Sequence, residues 1–163
     1  MRLDAIRHRT CGLCDEALKL IYAEHSSNCK KKGIRTMKDM FKNGVFSWAE
    51  LATTDVEGAK SFYTALLGWT TEPAPVEGMS YTLVKSGEER VGGIMTTKCG
   101  KLEMPPHWGI YITVDDVDAI ARKAEALGGK VVMPSTDIPK VGRFSVIEDP
   151  QGVKFSVITY LKM

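Results

Sequence analysis

The sequence has no long apolar run. Charges interrupt every hydrophobic stretch well before the ~18 residues that a membrane-spanning helix needs. The N-terminus, MRLDAIRHRTCGLC, has no continuous apolar core of the kind a secretory signal carries. A cytoplasmic protein is the expectation. Histidine is scarce, with three in 163 residues, and His107 is the only one in the last two thirds of the chain. Few histidines leave little material for a metal site in that region. Cysteine is scarce too, and three of the four (Cys11, Cys14, Cys29) lie near the N-terminus, with Cys99 apart. In a reducing compartment these read as thiols or metal ligands rather than disulfides.

The charge is small but unevenly spread. Residues 1–44 hold ten Lys/Arg against five Asp/Glu, whereas residues 45–163 hold twelve against fifteen. A basic segment centred on CKKKGIR could meet an acidic partner. Short charge runs are more often solvated surface, and nucleic acid is not an expected partner.

From residue 45 onward the chain repeats itself. TTDVEGAKSFYTALLGW (53–69) aligns with VDDVDAIARKAEALGGK (114–130), so that Asp55 falls on Asp116, Val56 on Val117, Ala65 on Ala126, Leu66 on Leu127 and Gly68 on Gly129. Each copy begins with a β-rich run, VFSWAELATT or WGIYITV. A helix start follows, a capping box at Thr54-x-x-Glu57 and a looser one at Asp115-x-x-Asp118. The apolar spacing (Ala59, Phe62, Tyr63, Leu66, Leu67; Val117, Ile120, Ala121, Ala124, Leu127) suits one buried helical face. Gly68 and Gly129 stand where a helix C-cap requires positive φ. Three strand candidates close each copy: WTTE, MSYTLVKS and RVGGIMTT, then KVVM, GRFSVIED and VKFSVITYL. The reading is an α+β fold of two tandem βαβββ modules, residues 45–99 and 107–161, in a domain spanning 45–163. An N-terminal basic extension, residues 1–44, precedes it.

The order and spacing of ELATTDVEGAKSFYTALLGW, VDDVDAIARKAEALGGKVV, TDIPKVGRF and EDPQGVKFSV resemble the vicinal oxygen chelate superfamily, which includes glyoxalase I, bleomycin-resistance proteins and extradiol dioxygenases. The resemblance covers about residues 45–161. It implies a mixed sheet curled round a small-molecule cleft, and often a homodimer. In metal-using members the first and last strand of each module supply the ligands. Carried over by register, those positions are Trp48, Gly109, Gly93 and Ser156. Trp and Gly side chains offer no acceptor and Ser is a poor one, so no metal or other cofactor is expected in the cleft.

Strand parity supplies further candidates. Glu50 shares a face with Trp48, and His107 shares one with Gly109. If the two first strands run antiparallel, Trp48 is expected opposite Gly109 and Glu50 opposite His107. The Glu50–His107 pair would then serve as acid/base or grip a polar group. The competing readings are a solvated His107 and a Glu50 held in a salt bridge, with Arg143 as a candidate partner. Trp48, Tyr81, Tyr111 and Phe144 would give flat ligand-binding surface or fill core. Arg143 could fork onto an anion. Gly109 and Ser156 complete the ligand-binding set.

The extension carries Cys11-x2-Cys14-x10-His25-x3-Cys29, which resembles a zinc knuckle, around a helix expected at about Asp15–Ala23. It is read as a structural zinc site, as a helical arm, or as sequence upstream of a start at Met37 or Met40. The leading function is a small-molecule-binding, glyoxalase/bleomycin-resistance-like protein without the family metal centre, a lyase or dioxygenase-like enzyme if active. The alternatives are a metal-dependent lyase or dioxygenase of the same superfamily, and a regulatory protein that uses a zinc-bound arm.

Overall fold

A computed structural model describes residues 40–74, 80–99, 102–103 and 105–161. The Cys11, Cys14, His25 and Cys29 quartet and the expected helix around it lie outside the described residues.

Module 1 contains β1 (Phe46–Thr53), α1 (Val56–Leu67), β2 (Thr70–Ala74), β3 (Tyr81–Ser86) and β4 (Glu89–Thr96). Module 2 contains β7 (His107–Thr113), α2 (Val117–Ala126), β8 (Lys130–Ile138), β9 (Gly142–Glu148) and β10 (Lys154–Tyr160). The connector forms a small hairpin of its own, β5 (Lys98–Cys99) with β6 (Leu102–Glu103), where the sequence reading has only a link. The eight long strands form one open mixed sheet in the order β2-β3-β4-β1-β7-β10-β9-β8. Each module's first strand pairs parallel with its last, and β1 pairs antiparallel with β7 across a pseudo-twofold axis. No helix among the described residues is long and apolar enough to cross a membrane.

Alternation along the strands divides the sheet into two faces. One is covered by the helices. There Leu51, Val84 and Ile94 pack with Val56, Ala59, Tyr63 and Trp69 of module 1. Val114, Val117, Ile147 and Val157 pack with Ile120, Ala124 and Phe155 of module 2. Burying each such side chain contributes on the order of 1.5–3 kcal/mol. No helix among the described residues covers the other face, the one on which the resemblance puts the cleft.

Both helix starts fall one residue later than the capping boxes place them. Asp55 caps α1 by accepting from Gly58 N, and Asp116 caps α2 by accepting from Ala119 N. A carboxylate accepts from the first turn of N–H groups and also faces the positive end of the helix dipole, so it outcompetes the neighbouring Thr54. At the other end Gly68 is left-handed, with φ 67°. In module 2 the positive φ belongs to Gly128 (85°) rather than Gly129. Gly129 is needed for a different reason, since a β-carbon there would lie 2.9 Å from the Glu148 carbonyl.

Candidate functional site

The register between the central strands sets the site. Trp48 faces Tyr111, Glu50 faces Gly109, and Ala52 faces His107. The expected Trp48–Gly109 and Glu50–His107 pairs are therefore shifted by two residues. A bulge between Phe46 and Trp48 accompanies this shift. Parity survives a shift of two, so the same residues of β1 and β7 share one face with different neighbours. His107 sits diagonal to Glu50, exposed, with Nδ1 2.8 Å from the Pro105 carbonyl oxygen.

Glu50 is the centre. Its Oε2 accepts from the Tyr81 hydroxyl at 2.8 Å and its Oε1 from the Tyr111 hydroxyl at 3.0 Å. Tyr111 lies 61 residues beyond Glu50, at the equivalent position of the second copy. The carboxylate and its pseudo-symmetric counterpart thus meet across the axis. Tyr81 reaches Glu50 from β3 by passing over β4, and this is possible because residue 93 is glycine. A β-carbon on Gly93 would fall on the Tyr81 hydroxyl itself.

The Tyr81 phenol is oriented by a further donor. Trp48 Nε1 donates to the Tyr81 oxygen at 2.9 Å. Ser156 lies beside Tyr111 across β7 and β10, and its hydroxyl weakly offsets the upward pull on the Tyr111 phenol. Each phenol has one proton, and both protons are committed to Glu50. The donors therefore point inward, from Trp48 through Tyr81 and from Tyr111. This network pulls against burial. Burial pushes the Glu50 carboxyl above its ordinary value, while the two phenols, and more weakly His107, favour the charged form. Burial and then the Glu50 charge hold both phenols well above the usual tyrosine range, so they stay protonated donors.

The remaining sequence candidates separate. The Phe144 ring lies 6.2 Å from that of Tyr111, on the cleft side. Arg143 has the opposite parity. It bonds Asp118 of α2 through Nε and Nη2 (3.0 and 3.2 Å) and Asp137 of β8 through Nη1 (2.9 Å). It is neither the partner of Glu50 nor directed into the cleft. Its hydrogen bonds to Asp118 and Asp137 raise its own affinity for the proton, and Arg143 in turn lowers that of Asp118. Gly109 leaves the floor beside Glu50 bare, because a β-carbon there would meet nothing closer than 3.7 Å.

Two polar groups are missing from the sequence reading. Tyr160 donates to Ser47 at 3.1 Å, and Phe41 packs edge-on against Tyr160 at 5.4 Å. Tyr160 shares parity with Ser156 on β10, which was an available signal. Ser47 depends on the bulge, which parity cannot anticipate.

The profile of the Glyoxalase/Bleomycin resistance protein/Dioxygenase superfamily matches residues 45–157. The chain belongs to this superfamily. Among its relatives is the Mycobacterium bovis protein named "Putative glyoxylase CFP32", 42% identical over 118 residues, which are 72% of this chain and 44% of that one. The anthracycline biosynthesis protein DnrV of Streptomyces peucetius is 31% identical over 130 residues, covering 72% of this chain and 47% of the relative. The chain thus spans about half the length of these curated relatives. Among solved structures, a Streptomyces coelicolor methylmalonyl-CoA epimerase variant superposes with TM-score 0.53 at 17% identity, covering 75% of this chain and 98% of that one. At that identity the likeness concerns the fold alone.

Superfamily membership raises the question of a divalent ion. The cleft face offers one carboxylate with a phenol on each oxygen, one serine hydroxyl, and an exposed histidine diagonal to them. An ion wants three or more protein ligands. Among the described residues, no group of three or more His, Cys, Asp and Glu is close enough to hold one. At position 93, where metal-using members often supply Glu, Tyr81 occupies the space of the missing side chain.

Proposed function

We propose that the cleft binds a small molecule without the divalent ion of the metal-using branch, with Glu50 as polar anchor and proton acceptor. Trp48, Tyr81, Tyr111 and Phe144 form its aromatic wall. The observation that supports this most is the inward-pointing donor network around Glu50, which takes the place of a ligand shell. Each Glu50 oxygen keeps a lone pair for a donor on the ligand, and bare Gly109 leaves room beside it. Burial favours the protonated form of Glu50, so the carboxylate could take a proton from a bound acid.

The wall suits a planar, largely apolar ligand with one donor group. The relative named for anthracycline biosynthesis makes a polycyclic aromatic a reasonable first probe. The test is titration calorimetry of the full chain with an anthracycline and with a monocyclic phenol, before and after chelator treatment, alongside elemental mass spectrometry. Binding should survive chelation and weaken about tenfold or more in Glu50→Gln, the loss of one charge-assisted hydrogen bond. A stoichiometric metal that disappears in Glu50→Gln would overturn the proposal and favour a metal-dependent lyase or dioxygenase. Metal lost only in Cys11→Ser/Cys14→Ser would belong to the N-terminal quartet and favour the interaction-protein reading for that segment.

A further inference from the structure

Strand register lines Glu50 up with a charged cluster near the edge of the sheet. Glu50 pairs with Gly93 of β4, Gly93 with Leu83 of β3, and Leu83 with Glu72 of β2. These four residues form one row across module 1, and residues paired across strands stand on one face. Lys85, two residues beyond Leu83, has the same parity, and Arg90 pairs with Lys85. Glu72, Lys85 and Arg90 therefore share the face of Glu50. At ~4.8 Å between strands and ~3.4 Å per residue along one, Lys85 lies about 12 Å from Glu50 along the sheet. The row between them carries no charge, since Gly93 lies under the Tyr81 phenol and Leu83 is apolar.

The cluster has a cation to spare. Glu72 Oε1 accepts from Arg90 Nη2 at 3.1 Å, and its Oε2 lies 3.5 Å from Lys85 Nζ. One carboxylate thus serves two cations that stand directly opposite each other, a placement that like charges disfavour. Glu89 has the opposite parity to Arg90, and Glu88 lies in the turn beyond, so neither balances the pair. Among the described residues, Arg90 Nε and Nη1 have no acceptor. The Lys85 side chain is 25% exposed and that of Arg90 58%, so the ammonium is held close to the sheet while the guanidinium stays open to a ligand. Module 2 repeats the row without these cations. Tyr111 pairs with Ser156, Ser156 with Val146, and Val146 with Met133. Met133 thus stands for Glu72, and the offset that puts Val146 on Leu83 puts Glu148 on Lys85 and Val153 on Arg90. Glu148 has its own lysine, Lys154, at 3.8 Å. The surplus positive charge belongs to one end of the face only.

We propose that Lys85 and Arg90 form an anion subsite, and that the ligand is an aromatic acid, with a donor group at one end of a fused ring system and a carboxylate at the other. The donor meets Glu50, the rings cross Tyr81 and Leu83, and the carboxylate takes the guanidinium N–H groups that Glu72 leaves open. A planar skeleton suits the uncharged row, and the distance along it asks for more than a single ring. The inference rests on the proposed reading of this face as the ligand cleft.

Titration calorimetry of the full chain tests it, with a hydroxynaphthoate carrying its hydroxyl and carboxylate at opposite ends and with the corresponding naphthol. The naphthoate should bind about tenfold tighter, as for one partly exposed charge-assisted contact. That ratio should shrink in high salt and fall to unity or below in Lys85→Met/Arg90→Met. Glu72→Gln should raise the ratio, because a competing carboxylate is gone, whereas a purely structural ion cluster would move both probes together. None of the three side chains is buried, so the variants should keep the wild-type circular dichroism spectrum. A naphthoate that binds no tighter than the naphthol, an advantage that persists in Lys85→Met/Arg90→Met, or a ratio lowered by Glu72→Gln would each overturn the inference, while weaker naphthol binding in Glu50→Gln would still uphold the cleft. Failure of both probes to bind, or binding indifferent to Glu50→Gln, would overturn the reading of the cleft itself, and this inference with it.

Discussion

Tyr81→Phe tests the donor network most directly. The substitution removes one oxygen and leaves the ring over Gly93. Two interactions go with that oxygen. The first is the 2.8 Å bond to the Glu50 carboxylate, and bonds to charged groups are worth about 1.5–3 kcal/mol. The second is the acceptor of Trp48 Nε1 at 2.9 Å, whose loss leaves a half-buried donor unsatisfied, about 1 kcal/mol at the low end of that penalty. The sum is about 2–4 kcal/mol, which for a domain of this size corresponds to a fall in Tm of roughly 8–16 °C. Calorimetric melting of the full chain measures it. The decisive assay is a double-mutant cycle with Glu50→Gln, because the two groups touch. A coupling of at least ~1 kcal/mol is expected, as for residues in one network. Additive losses, or a Tyr81→Phe variant as stable as the wild type, would refute the claim that this phenol holds the carboxylate.

Glu50 should also shape the pH dependence of stability. Burial raises its folded-state value above the ordinary 4.5, so the folded state holds the proton more tightly than the unfolded chain. That contribution is fully present below 4.5 and is lost as pH rises through the raised value. Denaturant titrations should show wild type losing stability relative to Glu50→Gln over that interval, and parallel curves would contradict it. Gly142→Ala should destabilise by at least ~1–3 kcal/mol, because its β-carbon would lie 2.2 Å from the Thr159 carbonyl oxygen, backbone of the paired strand that cannot swing aside. Chemical denaturation checks it. Arg143→Ala should cost little, with a loss that shrinks in high salt as for exposed ion pairs. It should leave ligand titrations unchanged, because Arg143 faces away from the cleft.

Much of the fold was legible because it is a repeated local code. Asp55 and Asp116 at the helix starts, the apolar stripes of α1 and α2, and the glycine stops state the βαβββ order twice. Membership in the superfamily followed from the same motifs. Local chemistry blurred the ends, where Asp55 beside Thr54 and Asp116 beside Asp115 each moved the cap by one residue and Gly128 took the turn expected of Gly129.

The cleft was legible only as a face. Period-two alternation assigns Trp48, Glu50, His107, Gly109 and Tyr111 to one side whatever the pairing. It places Arg143 opposite Phe144 but cannot say which of the two faces inward. Register is a non-local quantity set by the bulge near Phe46 and by packing of the two modules, so the Glu50–His107 pairing failed by two residues. The partnership of Glu50 with Tyr81 is less local still, since it crosses an intervening strand and exists because Gly93 leaves space there. The sequence by itself determined the modules, their order and which residues of the two first strands share a face. Tertiary structure alone decided which of those residues touch, because contacts across a sheet depend on register, curvature and the volume of neighbours that a one-dimensional pattern does not encode.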